Sequence, residues 1–207
     1  MKTKFCIACT LLLLSVAFLS CDTNSSEEIH PVDPVFNNLF VVDRTVTPIE
    51  GLMVSYQKNS SDKTTNSTKV AYPLDIYLYG SRPHFKDLSN QNFELIENSA
   101  PMIHFKLYTS TNGKPDLGNY IWDKNSSEAG YCTSVWHTTK RLTDRVTDSG
   151  ILIPTYEQVA VSKPNLRINK VGNEVYEFIF DATDYNGSQI SGYYKGRISL
   201  TQIYSAD

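Results

Sequence analysis

Val175-Tyr176-Glu177-Phe178-Ile179-Phe180-Asp181, then Asp184-Tyr185-Asn186-Gly187-Ser188, then Ile190-Ser191-Gly192-Tyr193-Tyr194-Lys195-Gly196-Arg197-Ile198-Ser199-Leu200 is the stretch that decides the fold. Two β-type runs flank an Asn-Gly turn signal. In the second run Ile190, Gly192, Tyr194, Gly196, Ile198 and Leu200 share one face, and Ser191, Tyr193, Lys195, Arg197 and Ser199 share the other. A period of two with one polar side marks a sheet that is wet on one face. In the first run Tyr176, Phe178 and Phe180 share a face.

The loop length sets the register. A two-residue Asn-Gly turn would set those three aromatics against Arg197, Lys195 and Tyr193, on the polar face. A three-residue loop, Tyr185-Asn186-Gly187 with Gly187 left-handed, shifts the register by one. Phe180 then faces Gly192, Phe178 faces Tyr194 and Tyr176 faces Gly196. Aromatic rings over cross-strand glycines stabilise a strand pair, and a one-residue slip turns a whole strand to the wrong face. The sequence therefore predicts the three-residue loop.

The same grammar runs through the chain. Leu39–Asp43, Gly51–Gln57, Val70–Tyr79, Phe93–Glu97, Met102–Tyr108, Asn119–Trp122, Tyr131–Trp136, Ile151–Val161, Leu166–Val171, Glu174–Asp181 and Ile190–Ile203 read as strands, rich in Val, Ile, Tyr and Phe. Turn clusters separate them at Asn59–Asn66, Thr111-Asn112-Gly113, Asp123–Ser127 and Lys163-Pro164-Asn165. Thr138–Thr147 reads as a short helix, with Leu142 and Val146 four apart. The expectation is an all-β antiparallel sandwich or barrel-like domain of about 8–11 short strands.

Length and charge narrow the class. The chain has 207 residues, with 19 Lys+Arg against 22 Asp+Glu and no basic stripe, so nucleic acid is a poor partner. Lys2 and Lys4 precede an apolar run from Phe5 to Leu19. That run is shorter than the ~20 residues needed to span a bilayer and reads as a signal peptide over 1–20. Asp22 to Phe36 lacks an apolar period and reads as a flexible tether, so the division is leader 1–20, tether 21–36 and one domain over 37–207.

Phe18-Leu19-Ser20-Cys21 resembles the end of a bacterial lipoprotein leader, which implies acylation of Cys21 and attachment to a membrane. Asp22-Thr23-Asn24-Ser25-Ser26-Glu27-Glu28 is similar to the Ser-plus-acidic export signals of the Bacteroidota. The hairpin, from Val171 to Gly196, resembles the tail of many small β-sheet lipoproteins of that phylum. The resemblance covers the leader and roughly the last forty residues. It implies an outer-membrane location, on the cell surface or the periplasmic face, and supplies no catalytic residues.

Chemistry-bearing patterns are sparse. His30, His84, His104 and His137 are scattered, without HExxH or paired spacing, so no metal or cofactor is expected. They read as satisfied or solvent-facing histidines. Cys132 reads as a small buried hydrophobe, and on one continuous strand His137, five residues on, would point to the opposite side. Asp184-Tyr185-Asn186-Gly187 is similar to the middle of a calcium loop, but Ala182 and Tyr193 stand where two ligands belong. No Gly-x-Ser-x-Gly elbow is present, and Glu177 and Asp181, ~13 Å apart along a strand, are too far apart for a glycosidase pair.

Aromatic surface remains. Leu74, Ile76 and Leu78 share one side of their strand, while Tyr77 and Tyr79 share the other with Asp75. Together with Tyr193 they are candidates for an exposed ligand platform, the plainer reading being that they face a second sheet or simply cover an edge. The expected function is a lipid-anchored, non-catalytic binding or accessory module, with a glycan or an envelope protein as partner. The alternatives are an assembly subunit that pairs with a partner protein, and a small hydrolase.

Overall fold

Gly187 has φ of +87° and its amide donates to the Asp184 carbonyl at 3.1 Å, while Asp184 N donates to the Ser188 carbonyl at 3.0 Å. This is the three-residue loop. It joins β11 (Val175–Asp184) to β12 (Gln189–Arg197), and Phe180, Phe178 and Tyr176 stand opposite Gly192, Tyr194 and Gly196. The computed structural model describes residues 38–56, 70–88, 92–96 and 98–200, all within the unit Phe36–Asp207. Cys21, the leader, the tether, His30 and the Asn59–Asn66 turn lie outside the described residues.

The fold is all-β. The remaining strands are β1 (Leu39–Val42), β2 (Thr45–Pro48), β3 (Gly51–Tyr56), β4 (Tyr72–Tyr79), β5 (Phe85–Leu88), β6 (Asn92–Leu95), β7 (Met102–Thr109), β8 (Gly118–Trp122), β9 (Tyr131–Val146), β10 (Leu152–Gly172) and β13 (Ser199–Leu200). Eleven form one mostly antiparallel sheet in the order β13-β3-β4-β7-β9-β8-β10-β11-β12-β1-β2, which does not close, and β5 and β6 pair separately. The described residues thus hold thirteen strands, more than the sequence suggested. The additions are the short β2 and β5, and the strand expected from Ile190 divides into β12 and β13, while two expected strands merge into β10.

The sheet folds over on itself through β10. The first half of β10 pairs with β9, from Leu152↔Val146 to Ala160↔Trp136. Its second half pairs with β11 and with β8. The Lys163-Pro164-Asn165 signal marks a bulge inside this one strand, with Lys163 at φ +47°, where the sequence suggested a turn between two. An extra residue in one strand bends it and raises its twist, which carries the chain from one half of the sheet to the other.

Between the halves lies the main core. Leu74, Ile76, Leu78, Ile103, Phe105 and Leu107 come from one half, and Phe40, Leu166, Ile168, Phe178, Phe180 and Tyr194 from the other. Phe105 meets Phe180 edge to face at 5.2 Å between centroids. Each fully buried side chain of this kind contributes about 1.5–3 kcal/mol of hydrophobic stabilisation.

Thr138–Thr147 is not a helix. Through Val146 it is the end of β9, paired with Leu152–Gln158 in an extended arm. The four-residue spacing of Leu142 and Val146 misled because Thr138, Thr139, Thr143 and Val146 are β-branched and a partner strand is available.

The two outer faces differ. Over β3, β4, β7 and β9, Leu95 of β6 and the following Ala100 cover Met53, Tyr77, Met102 and Trp136 in a second buried cluster. Thr138 Oγ1 ties the cover down by donating to the Ala100 carbonyl at 2.7 Å. On the other half, Asn165, Arg167, Ile179, Asp181, Ser191 and Lys195 remain exposed.

Gly192 is required by close approach, since a Cβ there would collide with the Phe180 ring. Gly196 is covered differently from expectation: the ring over it belongs to Tyr194, although Tyr176 is its cross-strand partner. Gly192→Ala is expected to cost about 1–3 kcal/mol, the usual penalty of overpacking. Urea unfolding checks this, and an unchanged midpoint would contradict the register.

Candidate functional site on the open sheet face

On β10, β11 and β12 the residues that point away from the core form a grid. Asn165, Arg167 and Asn169 stand beside Asp181, Ile179 and Glu177, which stand beside Ser191, Tyr193 and Lys195. Alternation alone produces this arrangement, because Leu166, Ile168, Phe178, Phe180 and Tyr194 take the inward positions.

Glu177 organises the grid. Its Oε1 accepts a hydrogen bond from Tyr193 Oη at 2.9 Å and its Oε2 accepts one from Asn169 Nδ2 at 2.8 Å. Arg167 Nε donates to Asn169 Oδ1 at 3.1 Å, and Asn165 Nδ2 donates to Asp181 Oδ2 at 2.8 Å. The Asn169 bond, working against partial burial and helped by Tyr193, Lys195 and Arg167, holds the Glu177 carboxyl below its ordinary range. Burial, then the bond and charge of Glu177, push Tyr193 up to about 12. At neutral pH the phenol therefore keeps its proton and donates a hydrogen bond to the carboxylate. Ile179, 42% exposed, stands directly opposite Tyr193 and gives the grid an apolar centre.

The three tyrosines singled out in the sequence do not converge. Tyr193 lies on this open face. Tyr77, 7% exposed, lies under the cover on the other half, and Tyr79 packs against that same cluster while its ring covers Gly51. Tyr77 and Tyr79 thus follow the plainer reading, packing against a second layer. Glu177, Asn169 and Ile179 were missed as companions of Tyr193. The alternation that puts Glu177 and Ile179 on the wet face was readable, but the strand that brings Asn169 alongside was not.

A second constellation joins the hairpin turn to β9. His137 Nε2 lies 3.1 Å from Asp184 Oδ2, with the two residues 3% and 4% exposed, and His137 Nδ1 lies 3.3 Å from Thr139 Oγ1. Asp184 Oδ1 accepts from the amides of Asn186 and Ser188, both at 2.8 Å. Burial alone would raise this carboxyl, but the Ser188 amide, the His137 ring and the Asn186 amide together bring it below its ordinary value. The letters resembling a calcium loop here cap a turn and bind an imidazole.

Cys132 lies in the main core, and burial pushes its thiol up to about 12 despite a backbone hydrogen bond with Ser134. A thiol so raised is no nucleophile at neutral pH. Its face was misjudged. A bulge between the Lys106↔Ser134 and Leu107↔Cys132 pairs shifts the alternation, so Cys132, Val135 and His137 all point inward. His137 nevertheless serves Asp184 and Thr139, not the thiol. Among the described residues no three His, Cys, Asp or Glu side chains are grouped to hold a metal ion.

No family model, curated protein or solved structure matches the chain.

Asp184 makes stability depend on acid. Its folded pKa lies below the ordinary carboxyl value of about 3.9. Its contribution is therefore fully present above that value and is lost as pH falls through the lower folded one. Asp184→Asn is expected to cost about 1–3 kcal/mol at pH 7. The gap to the parent should narrow as the pH falls through the carboxyl range, and denaturation curves across that range check it. A gap constant with pH would contradict the pairing.

Proposed function

We propose that this chain is a lipid-anchored envelope protein whose open face over β10, β11 and β12 binds a glycan. The observation that carries the reading is the fixed Tyr193–Glu177–Asn169 array beside exposed Ile179. Sugars present flat apolar faces rimmed by hydroxyls. An aromatic ring with an adjacent aliphatic side chain suits the faces, and a carboxylate with amide and guanidinium donors suits the rim. The array is pre-ordered, so less side-chain entropy is lost on binding.

A binding role fits the chemistry better than hydrolysis. Among the described residues both carboxyls with shifted values, Glu177 and Asp184, are shifted down, which suits acceptors of hydrogen bonds. A glycosidase acid needs a raised pKa.

The assembly reading has one observation in its favour. Leu142, Val146, Ile151 and Leu152 are all more than half exposed along the β9–β10 arm, a profile that suits protein contact. Strand addition at β2 is disfavoured, because that edge is four residues long and ends in Pro48.

The anchor rests on the leader pattern ending at Cys21. Wild-type protein is expected in the detergent phase of a phase partition and Cys21→Ala in the aqueous phase. Equal partitioning of the two would remove the anchor.

A glycan array with the purified protein, followed by titration of the hits, tests the binding face. Tyr193→Ala is expected to weaken binding about tenfold, the equivalent of ~1.4 kcal/mol, while Tyr77→Phe leaves it unchanged. Binding unaffected by Tyr193→Ala, or no glycan bound at all, would overturn the reading and favour the assembly role.

A further inference from the structure

Met53, Tyr77, His104 and Trp136 form one cross-strand row on β3, β4, β7 and β9. Met102 stands two residues before His104 on the same face of β7, about 7 Å along the strand. Met53, Tyr77, Met102 and Trp136 belong to the buried cluster closed over by Leu95 and Ala100. The His104 ring is clasped within it, its centroid 4.6 Å from that of Tyr77 and 4.8 Å from that of Trp136.

The two nitrogens of this ring are treated unequally. Nε2 lies 2.8 Å from Asp75 Oδ1, at the half-exposed edge of the cluster. Nδ1 is buried and has no hydrogen-bond partner among the described residues, and His104 is 4% exposed. With the proton on Nε2 facing the carboxylate, Nδ1 carries a bare lone pair. A buried acceptor left unmet is costly, so such an atom calls for an explanation. The sequence expectation of a satisfied histidine fails at this nitrogen.

A carboxylate that fixes the tautomer and raises the basicity of the far nitrogen is the usual support of a metal-binding histidine. The other donors nearby decide which metal. They are the thioethers of the cluster, with the Trp136 and Tyr77 rings alongside. Hard cations require oxygen ligands, and zinc is served by thiolates, imidazoles and carboxylates. Thioether with imidazole selects copper in its monovalent state, and aromatic faces favour a cation placed against them.

We propose that His104 Nδ1 and the Met102 thioether bind a soft monovalent metal ion, Cu(I) or its redox-inert analogue Ag(I), with Met53 as a further donor in the same layer. The Asp75 carboxylate on the far nitrogen balances the added charge. The site lies on the covered half of the sheet, so it is independent of ligand binding at Tyr193.

The test uses the full chain with 13C-methyl methionine and 15N-histidine, titrated with Ag(I) in excess over the four cysteines. The Met102 methyl and His104 Nδ1 signals are expected to shift together. Met102→Leu, a swap of similar volume that the fold tolerates, should weaken the affinity read at His104 at least tenfold. Unmoved Met102 and His104 signals at saturating Ag(I), or undiminished affinity in Met102→Leu, would overturn the proposal.

Discussion

The contact of the Phe180 ring with the bare backbone of Gly192 fixes the rest of the structure. It sets β11 against β12 in one register, and that register sends Tyr176, Phe178 and Phe180 toward the core. Every outward residue of the two strands follows, including Glu177, Ile179 and Tyr193. A slip of β11 by one residue would bury Glu177 and expose three aromatics beside Lys195, a loss of several buried side chains at about 1.5–3 kcal/mol each. Core and candidate binding face are thus two sides of a single constraint, imposed by a three-residue loop and one left-handed glycine.

The second constraint is asymmetry between the halves of the sheet. Both present an outer face, but only one is roofed. The β5–β6 hairpin and its return loop dry the face that holds Tyr77, His104 and Trp136. That cover makes the missing partner of His104 Nδ1 costly, whereas water would satisfy it on an open face. The open half keeps its polar side chains in contact with one another, so its order comes from hydrogen bonds across strands. The same residue types serve different ends on the two faces: Tyr77 packs a cluster, while Tyr193 donates a hydrogen bond to a carboxylate at a surface.

Much of this was legible in the residues, and the failures have physical causes. Alternation placed Leu74, Ile76 and Leu78 in the core and predicted the 185–187 loop, because both depend on spacing within one or two neighbouring strands. Long-range pairing was not legible. Nothing local tells Asn169 that it will lie beside Glu177, or tells His137 that it will meet Asp184 forty-seven residues on. Bulges broke the rule of two where it was trusted most: near Cys132 one extra residue returned His137 to the inner face, and at Lys163 another turned an apparent break into a bend. The three-tyrosine platform failed because strand parity gives a face relative to the strand, and which outer face is roofed depends on a separate hairpin.

The difference between the two faces is the central claim, and hydroxyl-radical footprinting of the folded protein tests it most directly. The account predicts rapid labelling of Tyr193 and Ile179 and protection of Tyr77 and Trp136, even though tryptophan is among the most reactive side chains in the unfolded chain. Labelling of Trp136 and Tyr77 as fast as Tyr193 would contradict it, showing that the roofed face is open in solution.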